Sequence, residues 1–404
     1  MRDVLTVAVV AVGGSIGVLT GRDGTPIWQG VRVLITVAAT AAAICVIRRG
    51  ADWLCGLIAF LTGVAAAATG AGFGLPHLAK TGWSAVTLAG LAALGAGAVL
   101  LVAGAGIVVR RTHRWWRLLV APALLAVVYV SLWSGVQAVA ATNVPATAIG
   151  SATPADRGRT YQDVRLQTPD GVRLSGWYLP STNRAAVLLV HGAGSTRSDV
   201  LAHAVVLSGH GYGVLLFDAR GHGRSGGRAM DFGWYGDEDL AGAVAFLQSR
   251  ADVDSDRIAA IGMSMGGEEA IGAAATNTGI RAVIAEGATT RIAADKAFLP
   301  DVYGVNGWIQ QRVDALTTVC TDQLTDAGPP VTLRAAASAA APRQFLLITA
   351  GDVPDEAHAA RHIQRGNANV QLWEVPNTGH TKALSTHPDE WEQRVVAFLT
   401  GTLT

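Results

Sequence analysis

The segment Arg257-Ile258-Ala259-Ala260-Ile261-Gly262-Met263-Ser264-Met265-Gly266-Gly267 joins an apolar run to a serine that stands between glycines. An alanine-rich helical pattern follows, so the segment predicts a strand, a tight turn and a helix. On such a turn a serine holds its hydroxyl clear of the backbone, and the glycines avoid collisions with the neighbouring strand and helix. Ser264 is therefore the candidate nucleophile.

Residues 160 to 404 alternate between strand-like and helix-like patterns around this segment. The alternation predicts a doubly wound, mostly parallel α/β sheet, whose reactive groups collect at the carboxyl ends of the strands. A helical insertion at about 287 to 342 is expected to form either a lid over a pocket or an ordinary helical excursion. Strands are predicted at 161–168, 172–179, 185–190, 213–218, 257–262, 281–286, 344–350 and 370–375, and helices at about 198–209, 236–250, 265–276, 355–365 and 388–400.

Residues 1 to 141 have a different composition, and they predict an all-α transmembrane bundle. Each of five apolar stretches is near the length of roughly 20 residues that a helix needs to cross a bilayer. Gly13 and Gly17, four residues apart, predict a close approach of neighbouring helices. Residues 142 to 159, rich in Pro, Thr, Ala and Gly, predict a linker. The five stretches are 4–20, 31–47, 53–75, 84–109 and 117–141.

The basic residues of the short connections predict the orientation of this bundle, since arginine-rich loops stay in the cytoplasm. Five spans would then put everything after residue 141 outside the cytoplasm, and a miscount of one span reverses that result. One side would carry Arg2, Arg48, Arg49, Arg110, Arg111, Arg114 and Arg117, and the other only Arg22, Arg32 and Lys80.

The net charge, the cysteine content and the positions of the charged residues argue against several classes of function. With a net charge of +1 and no long basic run, the chain offers little to neutralise phosphates, so nucleic acid is not an expected partner. Three cysteines provide no disulfide framework. No carboxylate, lysine or arginine lies in the middle of the five apolar stretches, which favours a membrane anchor over a transporter. Neither a cofactor nor a metal ion is expected.

A serine nucleophile needs a general base and an acid that orients it. His380, in a turn beyond the last predicted strand, is the candidate base. Asp352 closes the strand at 344–350 and is the favoured acid, while Asp355 and Glu356 remain alternatives. Capping of the helix that begins near 355 is the other role for these carboxylates.

The turn His191-Gly192-Ala193-Gly194 follows a strand that is expected to be buried. Its backbone N–H groups predict an oxyanion hole, formed by the amides of Ala193 and of Met265. His191 is expected to be structural. Nothing in the contexts of His203, His210 and His222 predicts that they reach Ser264.

In chain order, the candidate residues Ser264, Asp352 and His380 resemble the triad of the α/β-hydrolase superfamily. The resemblance covers about residues 160 to 402 and is nearest to membrane-anchored bacterial members of the serine aminopeptidase-like and prolyl-oligopeptidase-like esterase branch. It implies that the loop with Asp218 and Arg220 is structural. The signatures are His191-Gly192-Ala193-Gly194, Phe217-Asp218-Ala219-Arg220-Gly221-His222-Gly223-Arg224-Ser225, Gly262-Met263-Ser264-Met265-Gly266-Gly267 and Gly379-His380.

The resemblance implies a multi-pass membrane serine hydrolase that cleaves an ester through an acyl-enzyme on Ser264. Its expected partners are a small ester or short peptide and the lipid bilayer. Two alternatives remain. One is a peptidase, because ester and amide cleavage use the same residues. The other is a non-catalytic membrane bundle or transporter with a hydrolase-like binding module.

Overall fold

The computed structural model describes residues 1–20, 26–50 and 52–403. The chain forms two compact units, one of Met1–Pro145 with Leu316–Asp326 and the other of Ala146–Ala315 with Ala327–Thr404. The boundary after Pro145 lies inside the linker predicted at 142–159. Leu316–Asp326, predicted as part of the insertion in the soluble domain, belongs instead to the helical unit.

Within the described residues, the helical unit contains five whole helices, which correspond to the five predicted stretches. Four of them, α2 to α5, are long and apolar enough to cross a membrane; α1 is not in that group. Arg22, one of the predicted loop residues, lies outside the described residues. The helices are α1 (Arg2–Thr20), α2 (Pro26–Arg49), α3 (Asp52–Thr81), α4 (Ala85–Arg111) and α5 (Arg117–Asn143).

Glycines allow α3 and α4 to approach closely. A Cβ atom added at Gly63 would lie 2.3 Å from the backbone nitrogen of Leu101, so no larger residue fits without separating the helices. At the pair predicted in α1, a Cβ on Gly13 would meet Thr40, while Gly17 faces open space. The glycines between α3 and α4 repeat every seven residues, as Gly56, Gly63 and Gly70 on one helix and Gly90, Gly97 and Gly104 on the other.

The soluble unit is built on an eight-stranded sheet with the order β1-β2-β4-β3-β5-β6-β7-β8. β2 pairs antiparallel with β1 and with β4, and the remaining neighbours pair in parallel. This is the mostly parallel, doubly wound sheet that the sequence predicts. The strands are β1 (Gln162–Gln167), β2 (Arg173–Leu179), β3 (Ala186–Val190), β4 (Gly213–Phe217), β5 (Ile258–Met263), β6 (Ala282–Glu286), β7 (Gln344–Ala350) and β8 (Val370–Val375).

Apolar layers cover both faces of the sheet. Every residue of β3 is buried; Leu188 packs into one layer and Leu189 into the other. A continuous apolar run, without polar alternation, is therefore what this strand requires. The helices of this unit are α6 (Leu201–Gly209), α7 (Gly236–Gln248), α8 (Met265–Thr276), α9 (Leu299–Leu324), whose last turns belong to the helical unit, α10 (Leu333–Ala339), α11 (Pro354–Gln364), α12 (Ala383–Thr386) and α13 (Pro388–Thr402).

Candidate active site

Ser264 lies on the turn between β5 and α8. Its backbone has φ 52° and ψ −121°, a strained conformation of the kind that costs about 1–3 kcal/mol and persists only where the surroundings enforce it. Two glycines allow the turn. An added Cβ at Gly262 would lie 2.1 Å from the carbonyl oxygen of Gly266, and one at Gly266 would lie 2.5 Å from the carbonyl oxygen of Val190.

His380 lies in the loop after β8 and is paired with a buried carboxylate. Its Nδ1 is 2.6 Å from Oε1 of Glu356, whose side chain is 1% exposed. The other oxygen of Glu356 accepts a hydrogen bond from the backbone nitrogen of Ala350 at 2.8 Å. The hydrogen bond to Glu356 raises the pKa of His380 above its usual value. With Nδ1 engaged in this way, Nε2 is the nitrogen left for proton transfer.

Ser264 and His380 line the same cavity, which has a volume of about 280 Å³. The cavity lies at the carboxyl edge of the sheet, where the loops after β3, β5 and β8 meet. It is bounded mainly by polar groups. The lining residues are His191, Gly192, Ala193, Ser195, Asp199, Val200, His203, Met263, Ser264, His380, Thr381 and Lys382.

The two predicted oxyanion donors have different surroundings. Ala193 is exposed in the turn after β3 and lines the cavity. Met265 is buried and is the first residue of α8, so its N–H has no carbonyl partner within that helix. A helix N-terminus also favours negative charge. Both amides therefore belong to backbone segments that are suited to hold an oxyanion.

Several known proteins are similar to parts of this chain. The family model for serine aminopeptidase, S33, matches residues 181–329, a range that contains Ser264 and ends before His380. An uncharacterized protein of Mycobacterium tuberculosis (strain H37Rv) is 41% identical over 133 residues, which cover 32% of this chain and 45% of that protein. The thiohydrolase aneE of Aspergillus aculeatus is 33% identical over 148 residues, covering 36% of this chain and 46% of that protein. The chain thus spans less than half the length of these relatives.

Among solved structures, the chain is similar to an esterase from Pyrococcus furiosus, Pf2001. The two share 27% sequence identity with a TM-score of 0.51, and the match covers 64% of this chain and 98% of the esterase. The sheet order, the strained serine turn and these matches agree. The second unit has the α/β-hydrolase fold.

The acid loop of the α/β-hydrolase domain differs from the sequence prediction. Asp352 is exposed, and its backbone nitrogen donates to the carbonyl oxygen of Thr378 at 3.1 Å. Asp355 is also exposed and accepts a hydrogen bond from the hydroxyl of Tyr303. Only Glu356, the third of the alternatives, contacts the imidazole of His380. His380 therefore pairs with Glu356 and not with Asp352, the carboxylate that the sequence favoured as the acid.

Helical periodicity is the signal that distinguishes Glu356 from its neighbours. α11 begins at Pro354, and its buried face includes Glu356, Ala360 and Ile363. These positions are spaced i, i+4 and i+7, which is one face of a helix. Asp355 lies off that face, and Asp352 precedes the helix. Of the two acidic residues in the first turn of α11, only Glu356 lies on the apolar face of the helix. This position predicts that its carboxylate is buried.

Two loops of the hydrolase domain are structural, as the sequence predicts. Nε2 of the buried His191 accepts from the backbone nitrogen of Ala219 at 3.0 Å, and burial lowers the pKa of His191 to about 4. Asp218 accepts backbone hydrogen bonds from Arg197 and Arg224, both at 2.9 Å. Arg220 does not pair with Asp218. It forms ion pairs with Asp170 and Asp239 at 2.7 and 2.8 Å.

Two further buried carboxylates accept hydrogen bonds from the loops around His380. Neither was predicted from the sequence to belong to the site. Glu286, at the end of β6, accepts from the backbone nitrogen of Ala383 at 2.8 Å. Glu268, in the first turn of α8, accepts from the backbone nitrogens of Thr289 and Thr290 at 2.9 and 2.8 Å. These bonds fix both segments that flank the imidazole.

Gly287 lies directly against the imidazole of His380. An added Cβ there would lie 2.8 Å from Cε1 of His380, and the φ of +72° also favours glycine. The glycine therefore defines how closely the loop after β6 approaches the ring.

The insertion after β6 lines a second cavity of about 470 Å³ in the soluble unit. Phe298, Leu299 and Tyr303 contribute apolar surface to it, and Asp355 closes one side. Within residues 1–20, 26–50 and 52–403, no three His, Cys, Asp or Glu side chains are grouped so that they could hold a metal ion.

Proposed function

We propose that the chain is a membrane-anchored serine hydrolase that cleaves an ester-type acyl substrate. One observation carries the proposal: a serine on a strained turn and an imidazole paired with a buried glutamate line one cavity. Ser264 is the nucleophile, His380 the general base and Glu356 the acid that orients it. The likeness to an esterase over 98% of that protein's length supports an ester as the substrate.

The proposed mechanism uses the hydroxyl of Ser264, Nε2 of His380 and two backbone amides. Nε2 of His380 takes the hydroxyl proton as the oxygen of Ser264 attacks the carbonyl carbon, a role worth about 100- to 10,000-fold in rate. The amides of Ala193 and Met265 stabilise the tetrahedral oxyanion. His380 then gives the proton to the departing alcohol, which leaves an acyl-enzyme. Water attacks the acyl carbon with the same base, and the acid and the free serine result.

Glu356 acts throughout as the fixed partner of Nδ1. It holds the imidazole in one tautomer and stabilises the imidazolium that forms in both steps. Its second oxygen is bound to the backbone of Ala350, so the carboxylate itself is held in place.

Covalent labelling tests the nucleophile directly. A fluorophosphonate probe should label the full-length wild-type protein in detergent and fail to label the Ser264→Ala variant. Ser195→Ala is the matched control, because Ser195 is a second hydroxyl in the same cavity, and it should still be labelled. Equal labelling of wild type and Ser264→Ala would show that the assignment is wrong.

Peptide hydrolysis is the second candidate, and the match to the serine aminopeptidase family model favours it. Turnover of p-nitrophenyl esters and of aminoacyl anilides should be measured side by side. Hydrolysis of anilides without ester turnover would assign the chain to the peptidases.

The orientation of the helical unit is also a proposal: the arginine-rich end is cytoplasmic and the hydrolase domain is outside. Asp52, at the start of α3, contacts Arg2 at 3.8 Å and Arg111 at 2.7 Å, so basic residues collect at this end of the unit. Lys80, near the other end of α3, donates to the carbonyl oxygen of Pro145 at 3.2 Å. The chain thus leaves the unit at the end opposite the arginines.

Protease treatment of intact cells tests this orientation. A protease that cannot cross the membrane should remove an epitope fused after residue 404 and spare one fused before residue 1. Lysed cells are the control, because both epitopes should then be digested. Protection of the carboxyl-terminal epitope in intact cells would reverse the proposed orientation.

A further inference from the structure

His203 is a buried histidine that takes no part in the proposed mechanism. It lies on α6 and is 8% exposed. Neither ring nitrogen has a hydrogen-bond partner among the residues that the structure describes. Its side chain lines the cavity that contains Ser264 and His380. Its place in the cavity could not be expected from the sequence, because α6 lies more than fifty residues before the serine.

Two unsatisfied nitrogens in a buried ring are costly. Leaving a buried donor or acceptor unpaired costs about 1–3 kcal/mol, and most buried polar groups in folded proteins do have a partner. Burial also lowers the pKa of His203 to about 4. The ring is therefore neutral at pH 7, with one N–H donor and one nitrogen acceptor.

The ring of His203 is held in position by its neighbours. It packs edge-on against Trp391, with the ring centroids 5.1 Å apart. The indole nitrogen of Trp391 in turn donates to Glu286 at 3.3 Å. The imidazole is thus packed against a fixed aromatic ring, and His203 lines the cavity.

We propose that His203 is a substrate-binding residue that recognises a hydroxyl group, and that the natural substrates are hydroxyl-bearing esters. This inference rests on the proposed hydrolase function, since it names the substrate class of the same cavity. A hydroxyl both donates and accepts, so it can pair with either nitrogen of a neutral imidazole.

The other polar groups of the cavity agree with an uncharged, hydroxyl-bearing ligand. Asp199 lines the cavity with a carboxylate that already accepts from the backbone nitrogen of Thr196 at 2.8 Å, and it would repel an anionic group. Lys382 lines the cavity from the His380 loop and would repel a cationic group. A hydroxyl avoids each of these conflicts.

Two pairs of esters test the proposal with the full-length protein in detergent. Glyceryl monobutyrate against propyl butyrate puts the hydroxyls in the alcohol, and ethyl 3-hydroxybutyrate against ethyl butyrate puts one in the acyl group. In at least one pair the wild-type kcat/KM should be higher for the hydroxylated ester by roughly two- to tenfold, as expected for one net hydrogen bond. The pair that shows the preference identifies the side of the ester that His203 contacts.

Three variants complete the test. His203→Phe should lower that ratio of kcat/KM values toward one, and His203→Gln, which keeps a donor and an acceptor, should restore part of it. His210→Phe is the control, because His210 lies at the end of the same helix and pairs with Glu392 at the surface, and the ratio should stay at the wild-type value.

The possible results distinguish failure of the proposed role of His203 from failure of the proposed hydrolase function. A wild-type ratio near one in both pairs, or an equal ratio in wild type and both His203 variants, overturns the role of His203. If His203→Phe does not fold, the wild-type ratios and His203→Gln still decide. Failure of the hydrolase function would look different: none of the four esters would be cleaved, and a fluorophosphonate would not label Ser264.

Discussion

At the scale of single residues, the three carboxylates of the acid loop are close in sequence but differ in environment. Glu356 is buried and bound through both oxygens, one to His380 and one to the backbone of Ala350. Asp352 and Asp355 are exposed, and neither contacts the imidazole. A charge acts on a neighbour most strongly where water is excluded. Glu356 is therefore the residue whose removal should affect catalysis.

We expect Glu356→Gln to lower kcat/KM by roughly 100- to 10,000-fold, because an amide neither fixes the tautomer nor stabilises the imidazolium. The residual activity should also change with pH. Glu356 raises the pKa of His380, and the base must be neutral to act, so the acid limb of the pH profile should move to lower pH in the variant. Steady-state kinetics on a p-nitrophenyl ester between pH 5 and 9 measures both effects.

Asp352→Asn is the matched control for that change. It also converts a carboxylate to an amide, and it leaves intact the backbone hydrogen bond from residue 352 to Thr378. It should keep nearly the wild-type rate and the wild-type acid limb. A larger loss in Asp352→Asn than in Glu356→Gln would restore Asp352 as the catalytic acid.

At the scale of elements, the parallel strands could be predicted because burial on both faces leaves a direct mark on composition. β3 is apolar at every position, and β5 runs straight into the glycines that the serine turn requires. Ser264 and His380 could be predicted for the same reason, since each lies in a turn that follows a predicted strand at the carboxyl edge. These parts of the site depend on local sequence and on the order of the strands.

The acid and His203 could not be assigned from local sequence in the same way. Glu356 lies on a helix face, so its direction depends on where α11 begins, and helix ends are uncertain by one or two residues. His203 belongs to α6, and its contact with the cavity depends on how that helix packs on the sheet. The neighbouring residues in the sequence therefore do not predict the position of either side chain.

Helix α9 is an example of an element whose partner the sequence does not reveal. It runs from Leu299 to Leu324 and contains a non-helical residue, Gly304, with φ 58°. Its first part lines the cavity of the insertion, through Leu299 and Tyr303. Its last turns belong to the helical unit, where Leu324 packs with Phe73 and Val139. An apolar helical pattern predicts that a face is covered but not which unit covers it.

At the scale of the whole molecule, buried titratable groups make the stability of the fold depend on pH in two opposing ways. Burial lowers the pKa of His191 and His203 to about 4, so below the ordinary histidine pKa the unfolded chain binds protons that the folded chain does not. These histidines destabilise the fold as pH falls. Burial raises the pKa of Glu268 and Glu286, so the folded chain takes up protons first, and these carboxylates act in the opposite direction.

The buried histidines and the buried carboxylates change the stability in opposite directions as pH falls. The pH dependence of the wild type therefore does not separate their contributions, whereas a variant that lacks one histidine does. Replacing His203 with Gln removes one group whose folded pKa is depressed. Between pH 7.5 and pH 5 the stability of the variant relative to wild type should rise by about 2 kcal/mol. For a domain of this size that corresponds to roughly 4 to 8 °C in the difference between the two Tm values. Thermal unfolding in detergent at both pH values measures this Tm difference. His210→Gln, at the exposed end of α6, is the control, and its Tm relative to wild type should change little between the two pH values. If the Tm difference between His203→Gln and wild type is the same at both pH values, His203 titrates normally in the folded chain and is not the neutral, desolvated ring on which its role in the cavity depends.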